Sequence, residues 1–355
     1  MGSEFYKLTI KEVVKETDDC VSLSFSIPGQ YRKSFDFVSG QYLTLKTRIK
    51  DQEVRRSYSL CSEPSSGIIK VAIKQVENGL FSTYANQFLN PGDSIESLCP
   101  TGNFRHVPDA SNSKNYVLFA AGSGITPIIS IAKSILKHEP LSHVTMIYGN
   151  KGFKSVIFRE EIEALKNQHL NQFSVVHIFS KENLGNPLQK GRIDRDKCEK
   201  LFITLFNSID IDEVFICGPE EMTLAVREVM LEHNIPIQNI HLELFGTTLK
   251  KKKETKKSKE ESFDSTVELI LDGDEYEFPL NSNADNILDA AQKIGVELPY
   301  ACKGGVCCTC KAKVLEGKVS MDINYALEQE EVDEGYILTC QAHPKTEKVI
   351  VSFDD

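Results

Sequence analysis

The sequence lacks any apolar run of the ~18 residues that a membrane-spanning helix needs. Its start intersperses Glu4, Lys7, Lys11, Glu12, Lys15 and Glu16 where a secretory leader would carry an uncharged apolar core. A cytoplasmic protein without membrane insertion is therefore expected. Positive charge is also in deficit: 41 Lys and Arg stand against 51 Asp and Glu, a net charge of −10. The basic domain or stripe of a nucleic-acid-binding surface is missing, and basic partners suit the chain better than acidic ones. No internal repeat is present. With 355 residues the chain is long enough for two or three domains, each with its own core.

Cysteine, by contrast, is plentiful. Of ten, Cys20, Cys61, Cys99, Cys198 and Cys217 are scattered singly among apolar neighbours, the pattern of small buried hydrophobes. The others are Cys302, Cys307, Cys308 and Cys310, four within nine residues, and Cys340. In a reducing compartment so tight a cluster reads as a metal site rather than a set of disulfides. The spacing Cys302-x4-Cys307-x2-Cys310, then Cys340 after 29 residues, is the plant-type [2Fe–2S] ligand pattern and suits a zinc ribbon poorly. Gly304 and Gly305 allow the loop to wrap closely, and Cys308 reads as a small filler beside the ligands.

The organisation follows from where the patterning changes. Residues 1–110 read as short strands between turn signals, among them Gln41 to Lys46, Arg56 to Leu60, Ile68 to Gln75 and Asp93 to Leu98, which predicts an antiparallel barrel. Over 111–246, apolar runs such as Tyr116 to Ala120, Val144 to Tyr148, Phe173 to Phe179 and Glu213 to Cys217 alternate with helical stretches such as Pro127 to Lys137 and Phe158 to Asn167. That alternation predicts a parallel sheet covered by helices. Residues 247–264, with the basic run Lys250 to Ser262, read as a solvated tether. The last unit, 265–355, carries two strands, a helix over Asn286 to Ile294 and the cysteine loop.

The motifs resemble known families over nearly the whole chain. ACKGGVCCTC and LTCQAHP look like a plant-type ferredoxin domain, whose fold is a β-grasp sheet and whose ligands would be Cys302, Cys307, Cys310 and Cys340. Arg56-Ser57-Tyr58-Ser59 puts a guanidinium and an aromatic on one face of a strand. Gly79-Leu80-Phe81-Ser82-Thr83 offers amides and hydroxyls at a helix start. Together with Pro100 to Phe104 these resemble the flavin barrel of the ferredoxin–NADP reductase family. The resemblance implies FAD, with Arg56 on a phosphate, Tyr58 on the isoalloxazine, Ser59 near flavin N5, and Gly79, Phe81, Ser82 and Thr83 at the pyrophosphate.

The fingerprint G-x-G-x-x-G is absent. In its place Gly122-Ser123-Gly124-Ile125-Thr126-Pro127 and Cys217-Gly218-Pro219 each follow a strand, and in this order they look like that family's nucleotide domain. By resemblance Thr126 and Cys217 lie by the nicotinamide. Ser180-Lys181, where relatives selecting NADPH often carry Ser-Arg, leaves NADH open and tilts towards NADPH, with Lys151 and Arg192 as further cations. Glu243 and Phe245 both read as packing, and the resemblance implies that Phe245 flanks the flavin. A hydride carries two electrons and a [2Fe–2S] centre takes one, so a flavin between them must divide the pair. The domain order resembles reductase components of bacterial oxygenases. An oxygenase, hydroxylase, desaturase or other acceptor protein is the implied partner, and a non-catalytic electron-transfer or sensing role is the rival reading.

Overall fold

The computed structural model describes residues 4–245 and 263–354, arranged as three units, each built on a main sheet with its own core. The basic run Lys250 to Ser262 lies outside the described residues.

Six antiparallel strands make the first unit: β1 (Tyr6–Thr17), β2 (Cys20–Ser26), β3 (Tyr42–Ile49), β4 (Gln52–Ser59), β5 (Ile69–Lys74) and β6 (Ser94–Ser97). Their order is β4-β3-β6-β1-β2-β5, and a Leu60–Val71 bridge brings the two edges together into a barrel. The charges of β1 disguise it in the sequence. They occupy outward positions, while Leu8 and Ile10 alternate into the core. Helix α1 (Leu80–Gln87) covers the barrel through Phe81 and Ala85.

The second unit alternates β7 (Asn115–Ala121), α2 (Ile125–His138), β8 (His143–Asn150), α3 (Arg159–Gln168), β9 (Phe173–Phe179), α4 (Arg195–Leu205), β10 (Glu213–Gly218), α5 (Glu220–Glu232) and β11 (Ile240–Leu244). All pairs are parallel, in the order β11-β10-β7-β8-β9. Helix α2 starts two residues before Pro127, because a proline in the first turn gives up no intrahelical bond. The chain reverses direction of winding at β7, so the carboxyl ends of β7 and β10 open onto a crevice.

The third unit comprises β12 (Asp264–Leu271), β13 (Asp274–Asn281), α6 (Ile287–Lys293), β14 (Lys311–Glu316), β15 (Val319–Met321), α7 (Gln329–Asp333), β16 (Tyr336–Leu338), β17 (Ala342–Pro344) and β18 (Lys348–Ser352). Its main sheet runs β13-β12-β18-β14-β16, with β12 parallel to β18 and α6 packed on it through Ile287, Leu288 and Ala291. The first strand begins at Asp264, inside the segment expected as tether.

One buried carboxylate joins the first two units. Glu139 is fully buried and accepts hydrogen bonds from the Tyr116 hydroxyl (2.8 Å), the Ser142 hydroxyl (2.8 Å), the Asn112 amide (3.1 Å) and the Asp109 backbone N–H (3.2 Å), with His106 Nε2 at 2.9 Å. Burial raises its pKa, but these donors outweigh burial and hold it below the ordinary carboxylate value. Glu139→Gln puts an amide donor among donors and is expected to cost about 3 kcal/mol. Thermal unfolding of the apoprotein should then shift down by about 6–12 °C at neutral pH. Because the folded pKa is depressed, that stabilisation is present above the unfolded value and lost as pH falls through the folded one. The gap between wild type and variant should close in acid, and a constant gap would assign the effect to packing.

Candidate active site and cluster-binding loop

The cysteine loop hangs between α6 and β14. Gly305, at φ +71°, lies so close to the Ile323 carbonyl that a Cβ would approach it to 2.8 Å, so only glycine turns the loop here. The thiols associate as two pairs. Cys302 and Cys307 sulfurs are 3.1 Å apart, and Cys310 hydrogen-bonds Cys340. All are free cysteines. The Cys302 thiol is held down to about 6 by the hydrogen bond from Cys307 and then by backbone N–H groups of Gly304, Val306 and Cys307, against the effect of burial. Cys340 is lowered in the same way by Cys310. Among the described residues no three ligand side chains converge as they would for a single ion. Two cysteine pairs, three members from this loop and Cys340 from the turn between β16 and β17, fit a cluster of two irons, two sulfur ligands to each. Cys308 turns away and donates to the Ala326 carbonyl at 3.1 Å.

Strand β4 carries Arg56, Ser57, Tyr58 and Ser59. Arg56 is exposed, and its guanidinium bonds the Arg55 carbonyl at 2.6 Å. Tyr58 packs on Phe81, with ring centroids 5.4 Å apart, and Phe81 itself is core. The Ser57 hydroxyl meets Thr44 at 3.2 Å. At the start of α1, Gly79 caps the helix without any side-chain cap. Ser82 bonds the Gly79 carbonyl and accepts from Val76 N–H, and Thr83 accepts from Gln75. The first-turn amides of α1 therefore have no side-chain acceptor, which fits a phosphate group.

The crevice at β7 and β10 is a pocket of about 770 Å³ lined by both glycine turns, Gly122 to Gly124 and Gly218-Pro219, with Ser180 and Phe245. Lys74, Lys151 and Arg192 supply its positive charge, opposed by Asp194 and Glu221. Lys181 is not among its walls. Asn150 is another of its walls. Thr126 turns its hydroxyl back to the Ser123 carbonyl (3.1 Å), and Pro127 is buried in α2.

Cys217, at the end of β10, is fully buried, and its sulfur lies 4.0 Å from the Glu243 carboxylate. Ser59 donates to the same oxygen at 3.3 Å. Burial pushes the Glu243 carboxyl up to about 8, the Ser59 bond lowering it only in part. Glu243 thus gathers the flavin strand and the nucleotide strand at one protonatable point, a role that its place in an apolar strand conceals.

A barrel with a phosphate-ready helix start, a nucleotide crevice and four paired cysteines define an electron-transferring oxidoreductase that uses NAD(P)H, FAD and a [2Fe–2S] cluster. Family models agree: residues 7–106 match an oxidoreductase FAD-binding domain, 118–228 an oxidoreductase NAD-binding domain, and 269–345 a 2Fe-2S iron–sulfur cluster binding domain. The chain is 41% identical over 350 residues to a component of the 1,2-phenylacetyl-CoA epoxidase of Escherichia coli, covering 99% of this chain and 98% of that protein. It is 33% identical to the ferredoxin reductase component of 3-ketosteroid-9-alpha-monooxygenase of Rhodococcus rhodochrous, covering 99% and 98%. Phthalate dioxygenase reductase shares the fold, with a TM-score of 0.61 at 23% identity and 98% of each chain covered. The chain belongs to the family of three-domain flavin and iron–sulfur reductases that these reductase components represent. No helix among the described residues is long and apolar enough to cross a membrane.

Proposed function

We propose that this reductase draws on NADPH in the cytoplasm and serves an oxygenase acting on an aryl-acyl thioester, as the name of the 41% identical relative suggests. One observation carries the electron route. Strand β4 offers Ser59 to Glu243, which also meets Cys217, while its paired neighbour Tyr42 on β3 touches the cysteine loop. A single strand pair thus lies between the nucleotide site and the thiols.

When bound, the flavin takes up the two electrons of a hydride and releases them singly, and the cluster carries them one at a time. The residues supply alignment and charge. Arg56 would answer a flavin phosphate, Tyr58 would pack against the ring, Ser59 would stand near N5, and Gly79 to Thr83 would receive the pyrophosphate. Gly122 to Gly124 with Gly218 and Pro219 would cradle the nicotinamide nucleotide, with Thr126 and Cys217 behind them, and Phe245 would flank the flavin. Glu243 keeps a proton up to about pH 8 beside Ser59. Cys302, Cys307, Cys310 and Cys340 hold the cluster. Lys151 and Arg192, rather than Lys181, line the pocket where a 2′-phosphate would need cations, which favours NADPH over NADH.

Anaerobic titration of the purified protein with NADPH and then NADH tests this, followed by visible absorbance and low-temperature EPR. NADPH should bleach the flavin and raise a [2Fe–2S] signal. Arg192→Ala should raise KM for NADPH about tenfold, as loss of one charge-assisted bond would, and leave NADH unaffected. If neither nucleotide bleaches the flavin, the chain is an accessory electron carrier instead.

A further inference from the structure

The cysteine loop does not stand alone: part of its hydrogen bonding comes from the flavin barrel. Tyr42 is 5% exposed, and its ring packs with Ala301, Cys302 and Cys307. Its hydroxyl accepts from the Cys308 backbone N–H at 3.1 Å and lies 3.1 Å from the Thr309 hydroxyl. Thr309 in turn sets its hydroxyl and its N–H against the Cys307 sulfur. Thr44 extends the chain of hydroxyls, 3.4 Å from Thr309 and 3.2 Å from Ser57 on the flavin strand. Tyr42 pairs directly with Ser59 in the β3–β4 ladder. Five residues, Ser57, Ser59, Thr44, Tyr42 and Thr309, therefore connect the strand proposed to hold the flavin with a ligand of the cluster. Beside them Arg55 clasps the same unit. It is buried, stacks on Tyr300 at 4.6 Å and reaches the Leu298 carbonyl at 3.5 Å.

We propose that Tyr42 is the positioning residue for electron transfer from flavin to cluster: it seats the Cys302–Cys310 loop against the barrel and, through Thr309, completes a hydrogen bond to the Cys307 sulfur. This rests on the flavin-to-cluster order given above. The step moves one electron, leaving the flavin one electron poorer and the cluster one richer, and alters no bond of Tyr42 or Thr309. Two effects follow. A seated loop keeps the donor-to-acceptor distance short. Hydrogen bonds to ligand sulfur favour the reduced, more negative cluster and so raise its potential.

Holoenzyme carrying Tyr42→Phe tests both. In stopped-flow mixing with NADPH, flavin bleaching should keep its wild-type rate, while the later cluster-reduction phase slows about tenfold, equivalent to about 1.4 kcal/mol of barrel-to-loop alignment. In an EPR-monitored redox titration the cluster midpoint should move to a lower potential. Thr309→Val should reproduce the lower midpoint and Thr309→Ser should restore it, a pattern that general misfolding would not give because iron content and bleaching would fall as well. Unchanged midpoint and unchanged second phase in both Tyr42→Phe and Thr309→Val overturn the proposal. Failure of wild-type flavin to bleach overturns the underlying reading instead.

Discussion

Cys302→Ser is expected to abolish the [2Fe–2S] EPR signal and to cut electron delivery to an acceptor protein by at least about 100-fold, the upper end of what outer-shell changes at metal sites cost. Flavin bleaching by NADPH should persist, because the nucleotide pocket and the Ser59–Glu243–Cys217 contact lie in the other two units. Cys302 is the thiol whose pKa is held lowest, by Cys307 and three backbone N–H groups, so the loop already favours a thiolate there. A serine alkoxide is far harder to form, and one iron would lose half of its protein ligands. Cys308→Ser makes the contrast. Its sulfur faces the Ala326 carbonyl, a partner a hydroxyl serves equally well, so the cluster should load normally. Iron content and EPR of the two variants check this, and loss of the cluster from Cys308→Ser with retention in Cys302→Ser would reverse the ligand assignment.

The second large effect is at Gly124. A Cβ there would stand 2.1 Å from the Cys217 carbonyl oxygen, 2.5 Å from its carbon and 2.9 Å from the Gly218 nitrogen. All three are backbone atoms, so no side chain can swing aside, and Gly124→Ala must force the two glycine turns apart. A displacement of about 1 Å at a positioning element costs on the order of 100-fold in rate. The same overpacking should destabilise the fold by about 1–3 kcal/mol. NADPH-driven bleaching should collapse accordingly, whereas dithionite should still reduce both flavin and cluster. Normal bleaching by Gly124→Ala would mean that the nucleotide enters elsewhere.

What could be read from the residues beforehand was whatever is local in the chain. Ligand spacing, a glycine turn after an apolar strand and strand–helix alternation all arise within a few tens of residues, and each led to its element. The less legible features depend on distant partners. Glu243 meets Ser59 across 184 positions, and Tyr42 meets Cys308 across 266, so neither contact leaves a pattern along the sequence. Arg55 and Arg56 are adjacent on β4 and project to opposite faces, and nothing in Arg-Arg-Ser-Tyr tells which one the third unit covers. Lys151 and Arg192 follow different strands and meet only because parallel β8 and β9 end on the same crevice. Lys181, attractive by its place beside Ser180, bonds through its backbone to Lys151 and leaves the pocket wall to others.

The third unit also touches both of its neighbours, through Asn103–Glu331 on the barrel side and Tyr325–Glu220 at the start of α5. A ferredoxin unit at the end of a chain invites transplantation, as a cassette to be exchanged between reductases so that one flavin engine can drive another acceptor. Here the cassette is keyed to its socket. Tyr42, Thr44 and Arg55 belong to the barrel yet complete the hydrogen bonding and stacking of the cassette. A chimera cut at the boundary between the units would carry the four cysteines and leave those three residues behind. Grafting them into the recipient barrel along with the cassette is what the interface demands of anyone who would rewire it.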